Sequence, residues 1–178
     1  MFRLLRLVTA LVHAMFRKKI TLEDEAVTTF RVWPTDVDAS IMNHAPIMTA
    51  MEAGRVDYMV RTGFFTTAIK QQWYFPIASM SVQFVRPLKL FQKAEVKTKV
   101  LFIDDKWIFT QHSIESKGKC HVDAIVKSVV KKGRDRVAYS EIVDRLSIGK
   151  IPTNRPEIIS HIESEKAIFE AHFSRNAG

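Results

Sequence analysis

Hydrophobic positions along this chain switch between helical and strand spacing, and the switches mark its elements. Residues 1–19, M-F-R-L-L-R-L-V-T-A-L-V-H-A-M-F-R-K-K, are apolar with Arg3, Arg6, Thr9, His13 and Arg17 recurring at helical spacing, which predicts an amphipathic helix. From Ala26 to Trp33 the text A-V-T-T-F-R-V-W alternates with period two and predicts a strand. An acidic turn carrying Asp36 and Asp38 then leads into a long helix starting near Asn43 or Ala45. Pro46 suits the first turn of that helix, where its missing N–H costs nothing, and Gly63 suits the residue just past its end. The aromatic-rich residues 64–75 follow as a connection folded against the helix end.

Four strands come next in close succession. The first, P-I-A-S-M-S-V-Q-F-V-R from Pro76, puts Ala78, Met80, Val82 and Phe84 on one face. Ala94, Val96, Thr98, Val100 and Phe102 line one face of the second, with Glu95, Lys97 and Lys99 opposite. Asp104-Asp105 turns into K-W-I-F-T-Q-H-S-I-E-S, and Lys117-Gly118-Lys119 turns again. In the last strand Val122, Ala124, Val126, Ser128 and Val130 alternate with His121, Asp123, Lys127 and Lys131. A basic tip spans Lys131 to Arg136. Within Pro152–Phe173 a helix is expected from about Pro156, with Ile158, Ile159, Ile162, Ile168, Phe169 and Phe173 as its apolar stripe.

This order predicts an α+β fold. One long helix needs more cover than an isolated hairpin offers, and a five-stranded antiparallel sheet curled round it supplies that cover. The expected division is an N-terminal amphipathic segment over 1–25, the main domain over 26–150 and a C-terminal helical extension over 151–178. For residues 1–19 three readings stay open: a helix docked on the domain, an interfacial membrane helix with snorkelling Arg and Lys, and a secretory signal. No apolar run there approaches the ~20 residues of a transmembrane helix.

Composition narrows the functional classes. With 178 residues, 47% of them hydrophobic and 26% charged, the chain is long enough to bury a proper core, and six Gly and six Pro leave no linker-rich or repetitive tract. The single cysteine, Cys120, excludes an intrachain disulfide framework and a Cys-based zinc site; in a predicted strand it reads as a buried spectator. The cysteine count fits a reducing compartment, so the expected location is cytoplasmic, with or without membrane association. A net charge of +8 favours anionic partners. The interleaved basic and aromatic surface of a nucleic-acid binder is missing, and no nucleic-acid partner is expected. No His or Cys stands near His44 at metal-ligand spacing, so no metal is expected either.

Three segments carry a resemblance over about residues 26–135. One is V-W-P-T-D-V-D-A-S-I-M-N-H-A-P-I with the helix text E-A-G-R-V-D-Y-M-V-R-T-G-F. The others are F-V-R-P-L-K-L-F-Q-K-A-E-V, and D-D-K-W-I-F-T-Q-H-S-I with the Val-rich last strand. In this order and spacing they resemble the hotdog fold of the acyl-CoA thioesterase superfamily, in its 4-hydroxybenzoyl-CoA thioesterase-like branch. That branch reads D-x-D, a short gap, then H-[MV]-N-N and an aromatic residue. Here Ile41 holds the His position, His44 the second Asn position and Ile47 the aromatic one, and the acidic turn is one residue short. Asp38 stands nearest to the family's catalytic carboxylate; a slip of one or two residues puts Asp36 there.

The resemblance implies hydrolysis of an acyl-CoA thioester to free acid and coenzyme A, with no separate cofactor. Backbone N–H groups at the helix start lack intrahelical partners and sit at its positive end, so they can hold the carbonyl oxygen as charge develops. Asp38 or Asp36 then serves as general base or nucleophile. The plainer reading of either Asp is a cap of the turn or helix. Asn43 and His44, at the helix start, are candidate substrate contacts, and the plainer reading of His44 is a cap or a solvent contact. Glu52 shares a helical face with Met48, Val56 and Met59, the stripe expected to face the sheet. A carboxylate there must be paired or protonated, so it is either a structural partner of Arg55 or a third catalytic candidate. Arg86 and Lys89, with Lys93 or the basic tip, are candidates for the coenzyme A phosphates. Hotdog monomers pair at sheet edges, which implies a homodimer or a dimer of dimers with a shared site. The alternative function is a non-catalytic acyl-CoA- or lipid-binding hotdog module, held at a membrane by residues 1–19.

Overall fold

A computed structural model of the protein describes residues 2–146, 156–160, 162–164 and 167. Its sheet is built on the two longest alternating segments, β6 (Lys93–Ile103) and β7 (Ile108–Ser116). The hairpin between them turns where Asp104 Oδ1 accepts from the N–H groups of Lys106 (2.8 Å) and Trp107 (2.7 Å), the local bonding that suits Asp to turns. β8 (Lys119–Ser128) follows after Lys117-Gly118, both at positive φ (51° and 70°), as a tight two-residue hairpin loop requires. With β1 (Ala26–Arg31) and β5 (Ile77–Phe84) at the two edges, the order is β1-β6-β7-β8-β5, antiparallel throughout.

The sheet wraps α2 (His44–Arg61), whose N-cap is Asn43: its side-chain oxygen accepts from His44 N–H. The face of α2 turned inward holds Ile47, Ala50, Met51, Gly54, Asp57, Tyr58 and Arg61. This corrects the expected stripe. Met48, Glu52, Val56 and Met59 lie only half-buried, because Gly54 sets the rotation of the helix. A Cβ at Gly54 would lie 2.7 Å from Val96 Cγ1 and 2.8 Å from Thr98 Oγ1, so only glycine allows α2 this close to β6.

Other elements surround this pair. α1 (Phe2–Phe16) packs on α2, burying Ala10 and Ala14. A single 3-10 turn (Pro34–Asp36) leads into a small hairpin of β2 (Val37–Asp38) and β3 (Ile41–Met42). Residues 64–75, expected as a connection, form α3 (Phe64–Gln71) and β4 (Trp73–Tyr74), and Phe64, Ala68 and Trp73 are buried. β4 pairs with β9 (Lys131–Lys132), which pairs with β10 (Asp135–Arg136), so the basic tip is a hairpin. A further helix, α4 (Tyr139–Leu146), was not expected from the sequence pattern.

The outer sheet face departs from simple alternation. His121 and Lys127, expected to face solvent, are buried. The loop before β6 covers His121, while Lys127 lies under helical residues 157–160 and 162–164, where its ammonium meets Glu163 (2.7 Å) and the ring of Trp107 (4.6 Å). Ile159 is buried there and Ile158 is not; Ile168, Phe169 and Phe173 of the expected stripe lie outside the described residues. On β5, Met80 and Phe84 stay exposed because that strand is a sheet edge.

Candidate active site

The acidic turn lies where the chain leaves β1 and enters α2, and its two carboxylates have different surroundings. Asp36 is buried. It accepts from Trp33 N–H (2.8 Å) and from the Arg6 guanidinium on α1, and its carbonyl accepts from Asn43 N–H (2.9 Å). These bonds close the turn and tie it to α1. Asp38, two residues on, is exposed, and its carboxylate accepts a short hydrogen bond from Asn43 Nδ2. Asn43 therefore does two jobs, capping α2 through its oxygen and holding Asp38 through its amide nitrogen.

The first turn of α2 offers fewer donors than a generic helix. The first four N–H groups of a helix, from the N-cap on, lack intrahelical acceptors, and that of Asn43 is already taken by the Asp36 carbonyl. Here His44 N–H is taken by Asn43 Oδ1 (2.6 Å), Pro46 has none, and Ile47 N–H already bonds the Asn43 carbonyl (3.3 Å). Ala45 N–H is the donor that remains for a ligand at the positive end of the helix. The His44 residue itself is exposed.

The loop between β5 and β6 completes one wall. Met42 N–H donates to Leu88 O (2.8 Å), Leu90 N–H to Ser40 O (3.2 Å), and Ile41 forms a bridge with Lys89. Ile41 also pairs with Asp38, so Asp38 and Lys89 stand on either side of one strand, about 10 Å apart across two strand spacings. His121 braces the loop, with Nδ1 3.1 Å from Pro87 O and Nε2 3.3 Å from Gln92 Nε2. The expected residues Asp38, Asn43, His44 and Lys89 are thus brought together. Arg86 is exposed nearby, with Nη1 donating to Cys120 O (2.8 Å).

Glu52 lies apart, two to three turns down α2, in an ion pair with Arg55 at 3.6 Å. Beneath that pair is a group the sequence pattern did not single out. His112, on β7, is 2% exposed, with Nδ1 3.0 Å from Thr98 Oγ1. Burial, and then the nearby Arg55 charge, push its pKa down to about 3, so the ring is neutral at ordinary pH. Desolvation also lowers the Arg55 pKa, against the opposing pull of Glu52. Arg55, Thr110 and Ser128 border a cavity of about 40 Å³ walled by Tyr58, Phe64 and Val100, too small for an acyl chain. Periodicity places His112 on the inner side of its strand; nothing in the sequence gives its partners.

A five-stranded antiparallel sheet in this order, curled round one long helix, is the hotdog fold. Residues 32–152 match the family model of the thioesterase-like superfamily, and the chain belongs to that superfamily; hydrolysis of thioesters is the class of reaction that goes with it. No curated protein matches the sequence. Among solved structures, a probable thioesterase from Bartonella henselae is similar at 21% identity and TM-score 0.59, covering 64% of this chain and 99% of its own. The YbaW probable thioesterase from Escherichia coli matches at 18% identity and TM-score 0.63 (68% and 96% covered). A DHNA-CoA thioesterase from Staphylococcus aureus matches at 18% identity and TM-score 0.60 (69% and 89%). At these identities the likeness is one of fold.

Proposed function

We propose that the protein hydrolyses an acyl-CoA thioester at the mouth formed by Asp38, Asn43 and the first turn of α2. The observation that carries this reading is the exposed Asp38 carboxylate, bound by Asn43, the residue that caps α2. In this mechanism Asp38 takes a proton from water, the hydroxide adds to the thioester carbonyl, and Ala45 N–H stabilises the oxyanion. The C–S bond then breaks and the proton passes to the departing coenzyme A sulfur. The chemistry needs no further cofactor. Lys89, and Arg86 beyond it, are the proposed partners of the coenzyme A phosphates. Asp36 holds the turn, and Glu52 balances Arg55.

The exposed apolar side chains of the β5 edge, Ile77, Met80 and Phe84, support a homodimer formed along that strand. A monomeric mass in light scattering would overturn that part of the proposal.

The test is thiol release from a panel of acyl-CoA chain lengths. Asp38→Asn is expected to lower kcat at least a hundredfold, with folding intact because Asn keeps a hydrogen-bond acceptor for Asn43. Full activity in Asp38→Asn refutes the role of Asp38. Acyl-CoA binding without turnover by the unaltered protein across the panel would instead favour a binding module, a reading motivated by Ile41 and Ile47 at the family's His and aromatic positions.

A further inference from the structure

α1 has two faces, and only one is used inside the molecule. The inner face lies on α2 through Ala10 and Ala14, which are 9% and 1% exposed. Its ends are pinned by ion pairs, Arg6 to Asp36 and Arg17 to Asp57 (3.1 Å), the latter carboxylate also held by Arg61 at 3.2 Å. The outer face carries Val8, Val12, Met15 and Phe16, which are 47, 46, 65 and 87% exposed. Their spacing of four, three and one places them on one stripe of the helix. The helix contains no acidic residue, and it runs directly into Arg17-Lys18-Lys19. Lys18 and Lys19 are exposed, Lys19 reaching the Val60 carbonyl at 3.3 Å.

We infer that α1 docks the protein on an anionic membrane surface, lying in the plane of the interface with its outer stripe among the acyl chains and Lys18 and Lys19 at the lipid phosphates. An apolar stripe bordered by basic residues is the pattern that binds such a surface, by buried apolar area and by charge together. The helix lies on the membrane rather than crossing it. Its 15 residues measure about 22 Å, short of the ~30 Å hydrocarbon core, and among the described residues no helix is long and apolar enough to span.

A second copy of the chain fits this stripe poorly. At about 22 Å by 10 Å it offers on the order of 200 Å², well below the ~800 Å² per partner of a stable interface. The stripe also sits on the β1 side of the fold, since the groove beneath α1 is lined by β1 residues such as Thr28 and Phe30. The apolar β5 edge is at the opposite end of the sheet, so pairing along β5 leaves α1 facing outward.

The experiment is co-sedimentation of the full chain with vesicles of phosphatidylcholine, or of phosphatidylcholine with one quarter phosphatidylserine, at low and physiological salt. The expected result is binding at least tenfold tighter to the anionic vesicles and weakened by salt. Val12→Asp/Phe16→Asp should lose at least tenfold while keeping its circular dichroism spectrum, and Lys18→Glu should lose part of the preference for anionic lipid. Three outcomes overturn the proposal: no binding of the unaltered chain to anionic vesicles, unchanged binding of the double variant, or a double variant whose only change is a smaller mass in light scattering, which would make the stripe a subunit contact. The readout is lipid binding, so it stands or falls independently of thioester hydrolysis.

Discussion

Gly54→Ala isolates the contact that fixes α2 on the sheet. In a helix interior this change ordinarily stabilises by about 1 kcal/mol, because Ala gives up less backbone entropy. Here the added methyl would lie 2.7 Å from Val96 Cγ1, 2.8 Å from Thr98 Oγ1 and 3.3 Å from Val96 Cβ. Ordinary carbon–carbon contacts are about 3.5–4.0 Å, so something must move by nearly 1 Å. Neither neighbour yields easily. Both are β-branched, with restricted χ1, both are essentially buried, and Thr98 Oγ1 is committed to His112. Overpacking of this kind costs about 1–3 kcal/mol. Two contacts under 3 Å on stiff, buried side chains put the cost in the upper part of that range, about 2–3 kcal/mol; set against the propensity gain, the net expectation is a loss of about 1–2 kcal/mol, a drop in Tm of roughly 2–8 °C for a chain of this size.

Urea unfolding monitored by circular dichroism measures the loss, and a double-mutant cycle with Val96→Ala assigns it. Removing Cγ1 leaves the new methyl room, so Gly54→Ala should cost at least 1 kcal/mol less in the Val96→Ala background. A single Gly54→Ala variant as stable as the parent or more so, or a cycle with no coupling, would refute the claim that this glycine is required by close approach.

His112 gives a pH signature. Its folded pKa of about 3 lies below the ordinary 6.5, so between those values the unfolded chain binds the extra proton; its contribution is full above pH 6.5 and is lost as pH falls. Between pH 7 and 5 that amounts to about 2 kcal/mol, and His112→Gln should flatten the fall in unfolding free energy by about that much; equal slopes in parent and variant refute it. Arg6→Met should destabilise by about 1–3 kcal/mol, since it leaves the Asp36 carboxylate buried without its cation, and adding Asp36→Asn should recover part of the loss. Urea midpoints of the two variants check this, and additive losses would show that the pair is not coupled.

Much of the fold is legible in the sequence because its signals are local. Alternation at Ala94, Val96, Thr98 and Val100 and the turns at Asp104 and Gly118 depend on near neighbours, and so does Asn43 as the start of α2. The misread features depend on what arrives from far along the chain. His121 and Lys127 read as outward-facing on β8 and are so placed, but a loop and a C-terminal helical segment cover them. The rotation of α2 is not legible locally, because Gly54 is only a weak helix residue in the sequence and its reason is the close approach of β6. The proximity of Asp38, Asn43 and His44 at the helix start is a matter of a few residues and is legible in the sequence. The approach of Lys89 needed the β5–β6 loop to fold back on the β2–β3 hairpin, and His112 needed Arg55 from another element.

The different surroundings of the two acidic residues follow from α1. Asp36 and Asp38 are alike in sequence terms, and either could cap a turn. Arg6, thirty residues away, removes that equivalence: it binds Asp36, which is buried, while Asp38 stays exposed. The helix that claims Asp36 is the one whose opposite face is proposed to rest on lipid. The same fifteen residues tie down the acidic turn from one side and, on that proposal, set the orientation of the domain from the other. A long-chain acyl thioester partitions into a bilayer through its chain, and an enzyme held there by α1 would meet it at the surface with its acidic turn already braced. Taken together, the two proposals would tie α1 to the choice of substrate without requiring α1 to touch the reacting atoms.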